Sequence, residues 1–156
     1  MHKKKSAIFF DRDGTLIEDK DYLSDPSKII FLPGVIEALQ KFQAAGFVLV
    51  MVSNQSGIGR GYFTEVEYNA VQDKMIAMLE QEGIFFAGYY YCPHAPFENC
   101  ECRKPNPYMA IKAAEDLNIN LSESYMVGDK QSDILFGENF QAKGCFYTID
   151  ALGMVI

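Results

Sequence analysis

The feature that most limits how this chain can fold is a series of short apolar runs, each stopping abruptly at a polar or glycine-rich turn. Ala7 to Phe10, Phe47 to Val52, Tyr89 to Tyr91, Tyr125 to Val127 and Cys145 to Ile149 have the length and residue types of buried strands. Helical patterns lie between them. Pro33 suits a first helical position and Gly46 a C-terminal cap, so 33–45 reads as a helix with Val35, Leu39 and Phe42 on one face. Thr64 followed by Glu67 is a capping-box pattern, and Val66, Ala70, Met75, Met78 and Leu79 supply an apolar stripe up to Gly83. Asn106-Pro107 opens a third helix running to about Leu117, and Ser132 or a neighbour opens a fourth. Strands alternating with helices predict an α/β fold with a largely parallel sheet. In such sheets ligands sit at the carboxyl ends of the strands, which is where the polar motifs of this chain fall.

With 156 residues, 49% of them hydrophobic, the expectation is one domain over 1–156 with a single core. Lys3-Lys4-Lys5 is followed by an apolar run too short for a signal-peptide core, and no apolar stretch is long enough to span a bilayer. A cytoplasmic protein with no membrane partner is expected. A net charge of −7 argues against nucleic acid as a partner, which needs a basic surface. An anionic ligand would need local cations, and Arg60, Arg103, Lys104 and Lys130 all sit beside turn-like or motif segments.

Asp11 and Asp13, one residue apart at the end of a buried strand, repel each other unless a cation or a phosphate group lies between them. Magnesium meets that need, since it takes oxygen ligands and keeps positions for water and phosphate oxygens. Asp11 would then attack phosphorus, while Asp13, turned by Gly14, offers its carbonyl to the metal and its carboxyl to the leaving oxygen as general acid. The competing reading is a pair of loop carboxylates that cap a turn. Ser53-Asn54-Gln55-Ser56 follows the second strand and supplies hydroxyl, amide and N–H donors for phosphoryl oxygens, or else ordinary turn chemistry. Gly57, Gly59 and Gly61 around Arg60 suggest a flexible loop that brings the guanidinium to a second part of the substrate. Lys104 lies at a helix start, where its charge and the helix N-terminus act on one anion, and Arg103 precedes it. After the fourth strand, Asp129 completes a magnesium shell; Asp133 either joins it, holds Lys130, or caps the next helix.

Three of the four cysteines crowd one segment. Cys92-x-His94 and Cys100-x-Cys102, separated by five residues, form a four-ligand set for a structural zinc that would staple the loop from about 92 to 102. Cys145 reads as a core residue.

In combination, Asp-x-Asp-Gly-Thr, a strand-terminal Ser53, Lys104 at a helix start and Gly128-Asp129-x-x-x-Asp133 resemble the haloacid dehalogenase superfamily of phosphatases. The resemblance spans nearly the whole chain. It implies a Rossmann-like sheet, Asp11 as nucleophile, Asp13 as acid then base, Ser53 and Lys104 as phosphoryl stabilisers, and Asp129 as magnesium ligand. The cysteine loop followed by Arg103-Lys104-Pro105 resembles the subgroup that holds heptose-bisphosphate and histidinol-phosphate phosphatases. Asp19 with Tyr22, the Ser53 to Ile58 segment, Arg60-Gly61 and Tyr125 to Lys130 favour a heptose 1,7-bisphosphate, hydrolysed at its 7-phosphate on the way to lipopolysaccharide. That resemblance places Asp19, Tyr22, Arg103 and Lys130 against the substrate. The short spacer between the metal-binding pairs is closer to the histidinol-phosphate enzymes, which remain the alternative. Little chain is left for a mobile cap domain, and a monomer is expected. A phospho-receiver domain shares the small acidic α/β unit, the aspartyl phosphate, the metal, the hydroxyl and the lysine. It has no use for Asp13 or for the cysteine loop.

Overall fold

The computed structural model describes residues 3–156. Five strands, β1 (Ala7–Phe10), β2 (Val48–Asn54), β3 (Gly88–Cys92), β4 (Tyr125–Val127) and β5 (Gly144–Phe146), form one sheet in the order β3-β2-β1-β4-β5, and every neighbouring pair is parallel. The oldest strand in the chain is therefore the central one. Its register sets Phe10 opposite Met51 on one side and Val127 on the other.

Among the described residues there are six α-helices: α1 (Val35–Ala44), the single turn α2 (Ser56–Gly59), α3 (Glu65–Gln81), α4 (Tyr108–Leu117), α5 (Gln131–Asn139) and α6 (Ile149–Gly153). Side chains alternate across a strand, so β1 feeds two cores. Ile8 and Phe10 pack with Val35, Leu39 and Phe42 of α1, Val71, Met75 and Leu79 of α3, and Ile149 and Leu152 of α6. Ala7 and Phe9 point the other way, against Met109, Ala110 and Ala113 of α4 and against Phe136 and Phe140. Burial of both faces explains why the strands read as unbroken apolar runs. No helix among the described residues is long and apolar enough to cross a membrane.

Two expected boundaries move. Pro33 precedes a left-handed Gly34 (φ 80°) at the N-cap, so α1 starts at Val35 and the proline lies outside it. The last strand stops at Phe146, because the Thr148 hydroxyl accepts from the Ala151 N–H at 3.1 Å and caps α6, drawing Ile149 into a helix. The capping box that opens α3 is present, with Thr64 Oγ1 accepting from the Glu67 N–H at 3.1 Å and Glu67 Oε1 accepting from the Thr64 N–H at 3.0 Å. Yet the face that α3 buries is Tyr68, Val71, Gln72, Met75 and Leu79, while Val66 is 79% exposed and Ala70 lies outside. The helix is turned by a polar demand: Tyr68 and Gln72 meet a buried arginine described below.

Two irregular segments rise from the carboxyl edge of the sheet. One, 19–30, carries only the short turn Pro26–Lys28; the other, 92–104, carries only Pro96–Glu98. Helix α5, which leaves the same edge, sits so close to the sheet that a Cβ on Gly137 would lie 2.8 Å from Met126 Cβ and nearer still to the Cys145 sulfur. Gly137→Val should therefore overpack this contact and lower stability by about 1–3 kcal/mol, read as a lower urea midpoint with an unchanged slope.

Candidate active site

The ends of β1 and β4, the second irregular segment and the start of α5 bring charged side chains to one point. Asp11 follows β1 and is 6% exposed; Lys104 closes the second irregular segment and is 3% exposed. The Lys104 ammonium donates to Asp11 Oδ1 at 2.8 Å, Asp133 Oδ1 at 2.7 Å and the Val52 carbonyl at 2.9 Å, so all three of its protons are used. Burial pulls the lysine's pKa down, but Asp11 and Asp133 outweigh it and the group stands above its ordinary value. Asn54 fixes the backbone behind it: its Oδ1 accepts from the Lys104 N–H at 2.9 Å and its Nδ2 donates to the Lys104 carbonyl at 3.2 Å.

Asp129 reaches the same place over Gly14. That glycine is left-handed (φ 85°), and a Cβ there would run into the Asp129 carboxylate. Thr15 holds Asp129 from below, its hydroxyl donating to Oδ1 at 3.3 Å and accepting from the Asp129 N–H at 3.2 Å. Carboxylate oxygens of Asp11, Asp129 and Asp133 lie within 4.8 Å of one another. Burial raises the Asp11 pKa, with Lys104 opposing and Asp133 adding to the rise; burial and the nearby Asp11 raise Asp129. Three acids beside one fully engaged lysine leave excess negative charge, and an all-oxygen donor set of this kind fits a hard divalent cation such as magnesium. Asp133 also accepts from the Lys130 N–H through Oδ2 at 3.1 Å, so it braces both the lysine and the start of α5.

Asp13 points elsewhere. Its carboxylate accepts from the wholly buried Arg12 guanidinium, Nε to Oδ2 at 3.1 Å and Nη2 to Oδ1 at 3.2 Å, and from Gln55 Nε2 to Oδ2 at 3.0 Å. Gln55 Nε2 also donates to Ser53 Oγ, which occupies an acceptor site of that hydroxyl and leaves its proton for another partner. Arg12 in turn reaches Gln72 Oε1 at 3.2 Å and Gln55 Oε1 at 3.4 Å, and its guanidinium carbon lies 5.4 Å from the Tyr68 ring centroid. Neither Arg12 nor Gln72 was marked by the sequence reading. A basic residue between two acids at the end of a buried strand, and a glutamine on the inward face of α3, were the available signals.

Above these groups opens a cleft of about 250 Å³. Asp11, Asp13, Asn54, Gln55, Ser56, Arg103, Lys104, Lys130 and Asp133 line it, with Asp19, Asp21, Tyr22, Leu23 and Ser132. Asp21 and Tyr22 are both left-handed (φ 50° and 66°), and the Tyr22 ring stands edge-on to Tyr62 with centroids 4.7 Å apart. Arg103 Nη1 is buried without a hydrogen-bond partner among the described residues. Partial burial draws the Lys130 pKa down, but Asp11, Asp129 and Asp19 carry it above the usual lysine value. Arg60 is not in the lining: it is exposed, and its Nε donates to Ser56 Oγ at 3.4 Å. Gly57 and Gly59 before it serve close packing, and Gly61 after it takes a left-handed turn (φ 78°) with open space around it. A Cβ on Gly57 would meet Phe63 and Tyr22, and one on Gly59 would lie 2.6 Å from the Ala95 nitrogen.

In the second irregular segment, the sulfurs of Cys92, Cys100 and Cys102 converge within 4.8 Å. Cys92 and Cys102 are in bonding contact, and the Cys100 sulfur is 3.4 Å from that of Cys92. His94, the expected fourth ligand, is not brought to them. Its Nδ1 lies 3.8 Å from Glu98 Oε1, an i,i+4 pairing set by the turn at Pro96–Glu98, and the side chain is 44% exposed. Cys145 is half-buried against the second core, and burial raises its thiol pKa.

The HAD-hydrolase-like family model matches residues 101–150, which include Lys104, Asp129 and Asp133. The chain is 44% identical over 145 residues to the D-glycero-β-D-manno-heptose-1,7-bisphosphate 7-phosphatase of Pasteurella multocida, covering 89% of this chain and 79% of the relative. It is 42% identical over 141 residues to the protein of the same name in Escherichia coli K12, covering 86% and 74%. Among solved structures, the D,D-heptose 1,7-bisphosphate phosphatase of B. bronchiseptica, complexed with magnesium and phosphate, superimposes with a TM-score of 0.84 at 31% identity over 96% of this chain and 86% of that one. The acidic cluster, the parallel sheet that presents it and these likenesses agree: the chain belongs to the haloacid dehalogenase-like phosphatases, in the family that holds the heptose-1,7-bisphosphate 7-phosphatases.

Proposed function

We propose that residues 1–156 act as one cytoplasmic phosphatase domain that removes the 7-phosphate of D-glycero-β-D-manno-heptose 1,7-bisphosphate through an aspartyl phosphate on Asp11. The observation that carries the reading is the buried Asp11–Lys104–Asp133 cluster at the base of a small polar cleft. It is supported by the names and the extent of the relatives.

Lys104 holds Asp11 by Oδ1, which leaves Oδ2 as the oxygen for phosphorus. In the first step the Asp11 Oδ2–P bond forms and the bond between phosphorus and the sugar oxygen breaks, with Asp13 giving its proton to the departing oxygen. In the second, Asp13 takes a proton from water, the water oxygen bonds to phosphorus and the Asp11–P bond breaks. Ser53, through the proton of its hydroxyl, and Lys104, through its nearby positive charge, stabilise the phosphoryl oxygens. Asp11, Asp129 and the Asp13 carbonyl would hold magnesium, with Asp133 behind them; when bound, the ion neutralises charge on the phosphoryl oxygens and the carboxylates. The unpartnered Nη1 of Arg103, with Lys130, suits the second phosphate of a bisphosphate, and Asp19 and Tyr22 suit the hydroxylated chain of the sugar. Histidinol phosphate offers no second anion for Arg103. A phospho-receiver domain, which must retain its phosphate, does not fit a carboxyl as firmly placed as that of Asp13.

The sulfurs of Cys92, Cys100 and Cys102 would bind zinc, with His94 as fourth ligand once its ring leaves Glu98. The role is structural, since four protein ligands leave no open position, and it secures the loop that ends in Arg103 and Lys104.

Asp11→Asn should lower turnover by about 10⁴-fold or more, measured as phosphate release with magnesium; near wild-type activity would remove Asp11 as nucleophile. In parallel assays the catalytic efficiency should be highest on the β-anomer of the heptose bisphosphate, lower on the α-anomer and lowest on histidinol phosphate. Preference for histidinol phosphate would overturn the substrate assignment. Elemental analysis of protein purified under reducing conditions should find about one zinc per chain, and Cys100→Ser should lose the metal and melt at a lower temperature. Absence of zinc from the unaltered protein would discard the metal reading of the loop.

A further inference from the structure

We infer that Arg12 is a positioning residue for Asp13: it fixes the plane of that carboxyl and selects the oxygen that carries the proton to and from the substrate. The inference rests on the reading of Asp13 as acid and base given above. Arg12 is 0% exposed and does not line the cleft, so it acts on substrate only through another group. Its guanidinium meets both Asp13 oxygens, Nε to Oδ2 and Nη2 to Oδ1, and Nη2 lies 3.1 Å from Oδ2 as well, so both oxygens are held against one rigid cation. The two oxygens are not equivalent. Oδ2 receives Arg12 Nε at 3.1 Å and Gln55 Nε2 at 3.0 Å, whereas Oδ1 receives Nη2 alone, at 3.2 Å. Oδ2 is thus the more heavily engaged oxygen, and Oδ1 is the one left for exchange with the substrate.

The guanidinium is itself held. Nη1 donates to Gln72 on α3, Nη2 touches Gln55 after β2, and the Tyr68 ring covers one face. Two helical turns of α3 thus turn polar groups inward for a residue that never meets solvent. A buried guanidinium is costly, and an apolar residue of similar volume would serve packing at least as well. The bland alternative is that Asp13 is only the counter-ion of Arg12. It does not account for an Asp13 that remains 20% exposed and lines the cleft while its partner is sealed away.

The test uses leaving groups. Arg12→Lys keeps the charge and loses the fork. In rapid-quench single turnovers of the magnesium-loaded enzyme, release of the sugar from the heptose bisphosphate, whose alkoxide needs a proton, should slow by about 10–100-fold. Release of nitrophenolate from p-nitrophenyl phosphate, which departs without one, should stay within about twofold of wild type. The acyl phosphate should then accumulate, because the water step also needs Asp13. Gln72→Met, which lies outside the cleft and removes the Nη1 acceptor together with a donor to the Met51 sulfur, should show the same leaving-group dependence to a smaller degree, and serves should the lysine variant not fold. Equal slowing on both substrates, or none on either, would reduce Arg12 to a structural residue and overturn the inference. Wild-type enzyme that forms no acid-stable acyl phosphate on Asp11 would overturn the phosphatase mechanism beneath it, an outcome distinguishable because it needs no Arg12 variant.

Discussion

A single ammonium group ties the structure together. Lys104 Nζ joins the end of β1 through Asp11, the end of β2 through the Val52 carbonyl and the start of α5 through Asp133, and it arrives on the segment that the cysteines gather. Nothing else compensates Asp11 and Asp133 so directly. Removing the lysine would leave two nearly buried carboxylates facing each other, which is far more costly than the loss of the pair's own attraction. The path of the whole second irregular segment is therefore constrained at its far end, and Asn54, by gripping the Lys104 backbone on both sides, applies the constraint from the neighbouring strand.

The two carboxylates of the Asp-x-Asp motif are given different cations. Asp11 meets a point charge that leaves one oxygen unoccupied, and Asp13 meets a planar fork that engages both. The difference suits two kinds of work. A nucleophile needs one oxygen exposed to phosphorus, whereas a group that delivers and retrieves a proton needs a fixed orientation over a full cycle. The acidic balance of the protein, −7 overall, is reconciled with an anionic ligand by this local arrangement and by Arg103 and Lys130 on the cleft wall.

Strand positions, their parallel pairing and the start of α3 were legible in the sequence because each depends on local chemistry: apolar runs for strands buried on both faces, and a Thr-x-x-Glu pair for the helix. The gathering of Asp11, Lys104, Asp129 and Asp133 followed from the rule that places motifs at strand ends. What was not legible depends on partners far apart in the chain. The stripe through Val66 and Ala70 satisfied helical periodicity, but the buried side of α3 is decided by Arg12, sixty residues from Gln72, and no periodicity reports that. The glycines beside Arg60 looked like hinges, although Gly57 and Gly59 are small because Phe63, Tyr22 and Ala95 press on them. His94 was placed with the cysteines by spacing alone, and Glu98, four residues on, competes for its ring.

The order of strands in the sheet also bears on how the protein is made. β1 leaves the ribosome before the other four strands and lies at the centre of the sheet, yet its second partner, β4, begins 118 residues after it does. At translation rates of about 5–20 residues per second, that is a wait of roughly 10 s. During the wait one edge of an apolar strand is unpaired, and Asp11, already emerged, has neither Asp129 nor Asp133 beside it. The nascent chain thus carries an exposed strand that invites chaperone contact or mispairing, but no assembled carboxylate trio to gather cations before the fold is complete.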